Sequence, residues 1–306
     1  MNLDDLIITV FCQTDDAMNA CLQQLPTARL RQRGSAPALC DSEVLCMEII
    51  GAYLGLEQDQ AIYSYFVQHY SHFFPALARV HRTTFTRQAT NLSHFKEKLW
   101  QYWLADTPHE QDFGLIDSLP LPVCRFARAT FCRRFRYEQQ YPIRATYGYD
   151  HVARQTFWGL RLHLHVAWPG LITRLTLAPA HESDVSVLPQ MLQGQTGLVI
   201  GDRNYHSPQL QEQLRQEEPG LKLRTPFKNK TRDPDPNISK LLSHWRYRIE
   251  TVNSQLCARF QLKQVWARDV WHLLNRILRI VLCHTLCFRL NIQFGNSPLQ
   301  LAKLIQ

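Results

Sequence analysis

The sequence predicts an α/β protein with a mixed sheet, preceded by a helical region. Three observations carry this. The first hundred residues show apolar positions spaced three and four apart. A strictly alternating run follows at Phe157–Trp168. After residue 113, short apolar runs alternate with helical patterns in the order strand, strand, strand, helix, strand, helix, strand, helix. The chain has 306 residues, 45% of them hydrophobic and 20% charged, enough for one large core or two modest ones and too apolar for disorder.

The expected division is a helical segment over 1–106 and a sheet-containing segment over 107–306. In the first, Asp41 or Ser42 is expected to cap a helix carrying Val44, Leu45, Met47, Ile49, Ile50, Tyr53 and Leu54, with Gly55 ending it. A second helix is expected over Asp59–Tyr70. A third, over Arg82–Trp100, has Phe85, Ala89, Leu92, Phe95 and Leu99 on one stripe. Short helices joined by tight turns suit a helix-turn-helix DNA reader or a plain helical bundle, and both readings stand.

In the second segment, Phe113–Ser118 reads as a buried strand that stops at Pro120 and Pro122. In Phe157–Trp168, Trp158, Leu160, Leu162, Leu164, Val166 and Trp168 line one face, with Arg161, His163 and His165 on the other. Pro169-Gly170 then turns the chain into Leu171–Leu177 as an antiparallel hairpin. A helix capped by Ser183 or Asp184 follows, then the strand Leu198–Asp202, a helix opened by Pro208, and the strand Leu221–Thr225. A basic, proline-broken loop spans 228–237, and a helix has Ile249, Val252, Leu256 and Phe260 on its apolar stripe. Glu250, Ser254 and Cys257 fall on a different face of that helix.

Charge is unevenly spread. Residues 1–100 hold eight Lys/Arg and ten Asp/Glu, whereas the remainder holds twenty-six and sixteen, so the net charge of +8 arises after residue 100. Nine cysteines, an odd count, and an acidic start (Asp4, Asp5) argue for reduced thiols and against a secretory leader, giving an intracellular, cytoplasmic expectation. The most apolar run, Ile277–Leu290, is broken by Arg279, His284 and Arg289, short of the ~18 residues of a membrane span. That helix is expected either to meet a partner or to pack within the chain.

Asp117 and Asp202 end two strands and Glu250 sits on the late helix. Each alone reads more readily as a turn former, cap or solvated charge. Together, carboxylates from three elements are the oxygen set that magnesium takes, and paired magnesium ions activate a water or 3′-hydroxyl for attack on a phosphodiester.

In that order, Leu115-Ile116-Asp117-Ser118-Leu119-Pro120, Trp158-Gly159-Leu160-Arg161-Leu162-His163-Leu164, Gly201-Asp202-Arg203-Asn204-Tyr205 and Arg248-Ile249-Glu250-Thr251-Val252 resemble the motifs of DDE transposases of bacterial insertion sequences. They are most similar to the insertion sequence 982 family. The resemblance extends over nearly the whole chain, including the helix from Asp41 and the Arg82-Thr83-Thr84-Phe85 stretch. It implies a ribonuclease H-like catalytic domain with a five-stranded mixed sheet over 107–306, and DNA-end binding by residues 1–106. It further implies that the protein binds terminal inverted repeats, nicks them and joins the ends to target DNA, as a homo-oligomer on DNA. Asp117, Asp202 and Glu250 are then the catalytic ligands of Mg2+, with Mn2+ as substitute. Related transposases carry a Tyr, Arg, Glu, Lys signature on the glutamate helix. Here Arg246 and Glu250 fit it, while Ser243 and Cys257 occupy the tyrosine and lysine slots. Arg161, Arg246, Arg248, Lys228, Lys230 and Lys263 are the expected DNA contacts, with Arg248 and Lys263 as candidates for the terminal phosphate. A nuclease without strand transfer, or a non-catalytic repressor from a decayed element, fits the same residues.

Aromatic side chains at Tyr137, Tyr141, Tyr147, Phe157 and Trp158 interleave with the arginines of 125–161. They suit either core packing or stacking on an unpaired base.

Overall fold

The computed structural model describes all residues except 26–29, 32–33, 137–141, 228–230, 232 and 306. Its helices are α1 (Leu3–Gln23), α2 (Asp41–Tyr53), α3 (Asp59–His69), α4 (Arg82–Asn91), α5 (Ser93–Ala105), α6 (Asp184–Leu192), α7 (Pro208–Glu217), α8 (Pro236–Trp245), α9 (Tyr247–Ala258) and α10 (Val270–Gln293). Its strands are β1 (Phe113–Pro122), β2 (Thr146–Asp150), β3 (Gln155–Ala167), β4 (Leu171–Pro179), β5 (Gly197–Ile200) and β6 (Leu221–Arg224).

The chain divides into two compact units. One holds residues 1–107, 258–262 and 271–306; the other holds 108–257 and 263–270. The sequence-based division carried the second segment through to 306. Packing instead places 271–306 in the first unit, because α10 buries Leu273, Ile277, Val281 and Phe288 and fastens its polar groups there.

In the first unit α1 packs on α2 and α5, and α2, α3 and α4 pack on one another. Phe66, Phe85 and Trp103 are fully buried, each contributing about 1.5–3 kcal/mol through lost apolar hydration. Among them sits a buried charge network. Lys96 Nζ donates to Glu48 Oε1 at 2.7 Å and to Asn275 Oδ1 at 2.6 Å, and Arg279 donates to Asp59 at 2.6 Å. The arginines that break the apolar run of α10 are thus both paired within the unit, Arg289 with Asp106 at 2.8 Å. Two local expectations are corrected. Cys40, not Asp41 or Ser42, caps α2, its thiol accepting from the Glu43 amide while Glu43 accepts from the Cys40 amide. Asp41 instead pairs with Arg31 and Gln88, and Ser42 donates to Asp15. The expected single helix over Arg82–Trp100 is two helices, α4 and α5, divided at Leu92.

The second unit is built on a six-stranded mixed sheet, one strand more than expected. β1 pairs antiparallel with β3 and parallel with β5; β3 pairs antiparallel with β4; β5 pairs parallel with β6. The additional strand, β2, pairs with residues 155–159 of β3. Its Thr-Tyr-Gly-Tyr-Asp sequence offers only half-buried alternation, a weak strand signal.

β1 does not stop at its prolines. Phe113 C=O accepts from Trp168 and Val123 N–H donates to Trp158, so odd-numbered residues of β1 face β3 and even-numbered ones face the other edge. Pairing with β5 covers only 113–115. Pro120 and Pro122 therefore turn their donor-less nitrogens to an edge with no ladder partner, where proline costs nothing. Asp117 consequently lies mid-strand, just beyond the point where β5 leaves β1. β1 and β3 approach closely at Gly159, where a Cβ would meet the Leu121 carbonyl oxygen.

Candidate active site

The sheet places two carboxylates side by side. Leu115 is in register with Ile200 on parallel strands, so Asp117 and Asp202 stand two residues further along each chain. Asp202 Oδ1 accepts from the Asn204 amide at 2.7 Å and its Oδ2 from Asn204 Nδ2 at 3.1 Å, a turn that holds the carboxylate at the end of β5. Asp202 is thus a turn former as well as a candidate site residue. Gly201 lets the chain pass close to Tyr205 and Ile116. Tyr205 belongs to the core formed with Ile116, Leu188, Met191 and Leu192.

Across the other face of β1 lies α9, whose apolar stripe Ile249, Val252 and Leu256 is buried. Asn253 is buried on the same helix, and its Nδ2 donates to Asp117 Oδ2 at 2.8 Å. Arg246, at the end of α8, reaches within 3.7 Å of Asp117 Oδ1. The α8–α9 junction is fixed by an aromatic cluster in which Trp245 contacts Phe113 and Trp168, with ring centroids at 5.5 and 5.1 Å. Arg248 lies over Trp168 and Tyr247, at 4.9 and 4.8 Å.

Electrostatics mark the same place. Burial pushes the Asp117 carboxyl up to about 7, with Arg246 opposing and Asp202 adding. Burial also raises Asp202, again against Arg246. Two inward carboxylates sharing one arginine are a concentration of negative charge that a hard cation relieves.

Sequence reasoning missed Asn253 and the role of Asp184. The cap of α6 is Ser183, leaving the Asp184 carboxylate 3.8 Å from His163 and 3.9 Å from Arg161. His163 and His165 are buried, and burial holds both near 4, so they are neutral. His165 bonds to Thr173 Oγ1 at 2.6 Å and His163 faces the Tyr205 hydroxyl at 3.5 Å. The only signal for Asn253 was its spacing, three residues after Glu250 and next to Val252, at the margin of the apolar stripe.

The structure brings Asp117, Asp202 and Arg246 together. Glu250 is exposed in the first turn of α9, one turn before Asn253. Among the described residues no three His, Cys, Asp or Glu side chains group closely enough to hold a metal ion. Arg161 points inward, donating to Ser118 and the Tyr149 carbonyl. Lys263 lies 3.8 Å from Asp150; burial raises the thiol of Cys257, with the charge of Lys263 opposing. The ammonium thereby reaches the neighbourhood of the slot that Cys257 fills. Lys228 and Lys230 lie outside the described residues.

A profile of the transposase DDE domain matches residues 108–269, more than half of the chain. The chain belongs to the DDE transposase family. The match covers the second unit almost end to end, including Asp117, Asp202 and Glu250. No curated protein matches the chain. Among solved structures, a cryo-EM structure of the piggyBac transposase synaptic complex with hairpin DNA is similar at TM-score 0.42 and 10% identity, over 96% of this chain and 76% of that one.

DDE domains generally use divalent metal ions. The residues here fit such an ion: two carboxylates with raised proton affinity face one another, and Asn253 Oδ1 is buried without a hydrogen-bond partner beside them. Magnesium takes one or two carboxylates and completes its shell with water and substrate phosphate. Among the described residues no helix is long and apolar enough to cross a membrane.

Proposed function

We propose that this DDE transposase serves a bacterial insertion sequence of the 982 type, binding its terminal inverted repeats, nicking them and transferring the freed 3′ ends into target DNA. The observation that carries the reading is the β1–β5 register, which sets Asp117 beside Asp202 under the helix that bears Glu250. Asp117 and Asp202 would hold Mg2+, or Mn2+ in its place, with Glu250 on α9 as the third carboxylate. When bound there, such ions would supply activation of a water or 3′-hydroxyl and stabilisation of the leaving oxygen. Arg246 keeps the two carboxylates in place before loading. Asn253 Nδ2 orients Asp117, and Arg161 braces β1 through Ser118. Arg248 and Lys263 take phosphate, with Lys228 and Lys230 adding sequence-independent affinity. Residues 1–106 contact the DNA ends, and the protein acts in the cytoplasm as a homo-oligomer on DNA.

The test is a supercoiled plasmid carrying the element ends, incubated with magnesium and either wild type or the Asp117→Ala, Asp202→Ala and Glu250→Gln variants. Specific end nicking by wild type and its loss in all three is expected. Unchanged nicking in Asp117→Ala or Asp202→Ala refutes the assignment. Absence of joined products in a two-DNA assay with active enzyme would leave a nuclease instead.

A further inference from the structure

Beyond Pro122, at the end of β1 away from the paired carboxylates, the second unit has a cavity of about 430 Å³. Its walls are Val123–Phe126, the start of β3 and the segment 263–266. This size falls within the roughly 300–1,000 Å³ of small-molecule sites. Two large aromatic side chains line it while remaining 55% exposed, Phe126 and Trp266. Phe126 continues into an aromatic row, its ring 6.0 Å from Tyr147, which stands 4.7 Å from Trp158. Phe131, at 84% exposure, is in the same short 3-10 segment as Phe126.

Exposed aromatic area on this scale costs hydration free energy unless something covers it. The charge on the walls says what. Arg125, Arg134 and Lys263 line the cavity and no carboxylate does. Arg134 is committed to structure, donating to the carbonyls of Val123, Val265 and Ala267 and so riveting the Trp266 segment to the end of β1. Arg125 and Lys263 are exposed at the rim, Lys263 with its ammonium 3.8 Å from the Asp150 carboxylate.

We propose that this cavity binds unpaired DNA, with a base stacked against Trp266 and Phe126 and the neighbouring phosphates held by Arg125 and Lys263. Rigid aromatic faces beside cations are how single strands are gripped without sequence reading, and the concavity admits a base but not a duplex. Pro122 is five residues past Asp117, about 17 Å along an extended strand. At about 3.4 Å per stacked nucleotide, the bound base lies within roughly five nucleotides of the phosphate being cut. The proposal rests on the reading of the protein as a transposase acting at DNA ends.

The test compares binding of a short labelled oligothymidylate and of a blunt duplex by fluorescence anisotropy. Trp266→Ala and Phe126→Ala should each weaken oligothymidylate binding by about 5- to 150-fold, the range for a lost base–aromatic stack. Trp266→Phe should retain it, and duplex affinity should not change. Lys263→Gln should lower the slope of log affinity against log salt by about 0.7, whereas the aromatic variants should leave that slope alone. Both side chains are about half exposed, and thermal melts verify that the variants fold. Oligothymidylate affinity unchanged in both alanine variants overturns the proposal. If sedimentation then shows a wild-type dimer that the same variants dissolve, the face belongs to a second copy. Wild type that nicks end-bearing plasmid while the alanine variants bind the oligonucleotide normally rejects the cavity alone. Wild type that binds neither DNA rejects the transposase reading as well.

Discussion

Replacing Asp117 by asparagine removes a charge that the fold holds at a cost, and should stabilise the metal-free protein while abolishing nicking. The carboxyl sits near 7 in the folded chain against an ordinary 3.8, a difference worth about 4 kcal/mol at 1.36 kcal/mol per unit. Its side chain is 19% exposed, so solvent screening removes little of this. The sign follows from proton counting. Between about pH 4 and 7 the folded state holds a proton that the unfolded state has lost, so stability falls as pH rises through that window and the full cost applies above it. In Asp117→Asn that slope disappears. The opposing attraction of Arg246 is already contained in that shift, so the expected gain is about 4 kcal/mol. The assay is thermal unfolding in chelator at pH 4 and pH 8. At pH 8 the variant should melt higher by at least about 4 °C, and at pH 4 the two midpoints should converge. A variant no more stable than wild type at pH 8, or a gain that persists undiminished at pH 4, would falsify the reasoning.

Three further expectations concern other parts of the chain. Asn253→Leu keeps the volume but deletes the donor to Asp117. Mn2+ affinity by calorimetry should fall about 10- to 100-fold, as for partners that orient metal ligands; an unaltered affinity in the folded variant rules out that role. Lys96→Met strands Glu48 inside the first unit beside Arg279 alone. Chemical denaturation should show a loss of about 3–5 kcal/mol, and a neutral result would mean that Arg279 suffices. Gly159→Ala drives a Cβ into the Leu121 carbonyl and should cost about 1–3 kcal/mol, seen as a lower melting midpoint; wild-type stability would place β1 and β3 further apart.

Much of the second unit was legible because its signals are local. The alternation of 157–168 is a period that only a strand satisfies, and β3 with its hairpin partner β4 follows directly. Asp117 and Asp202 were legible as carboxylates following apolar runs. What misled was also local. Pro120 and Pro122 read as a stop because a sequence does not say on which edge a strand lacks a neighbour. Leu92 lies on the stripe of a continuous helix, yet the chain breaks there. Asp41 looks like a cap until Arg31 and Gln88 claim it.

By itself the sequence determined the chemistry on offer: two strand-associated aspartates, a helix glutamate, basic flanks and the order of elements that belongs to a DDE transposase. All of these depend on residues within a few positions of one another or on their order. Tertiary structure alone decided which of them meet. Asn253 reaches Asp117 across 136 residues, Asp202 reaches it through a parallel register, and α10 joins the first unit because its buried arginine and asparagine find Asp59, Glu48 and Lys96 there. Such contacts arise when distant segments share one buried surface and satisfy each other's polar groups, and no periodicity along the chain encodes them.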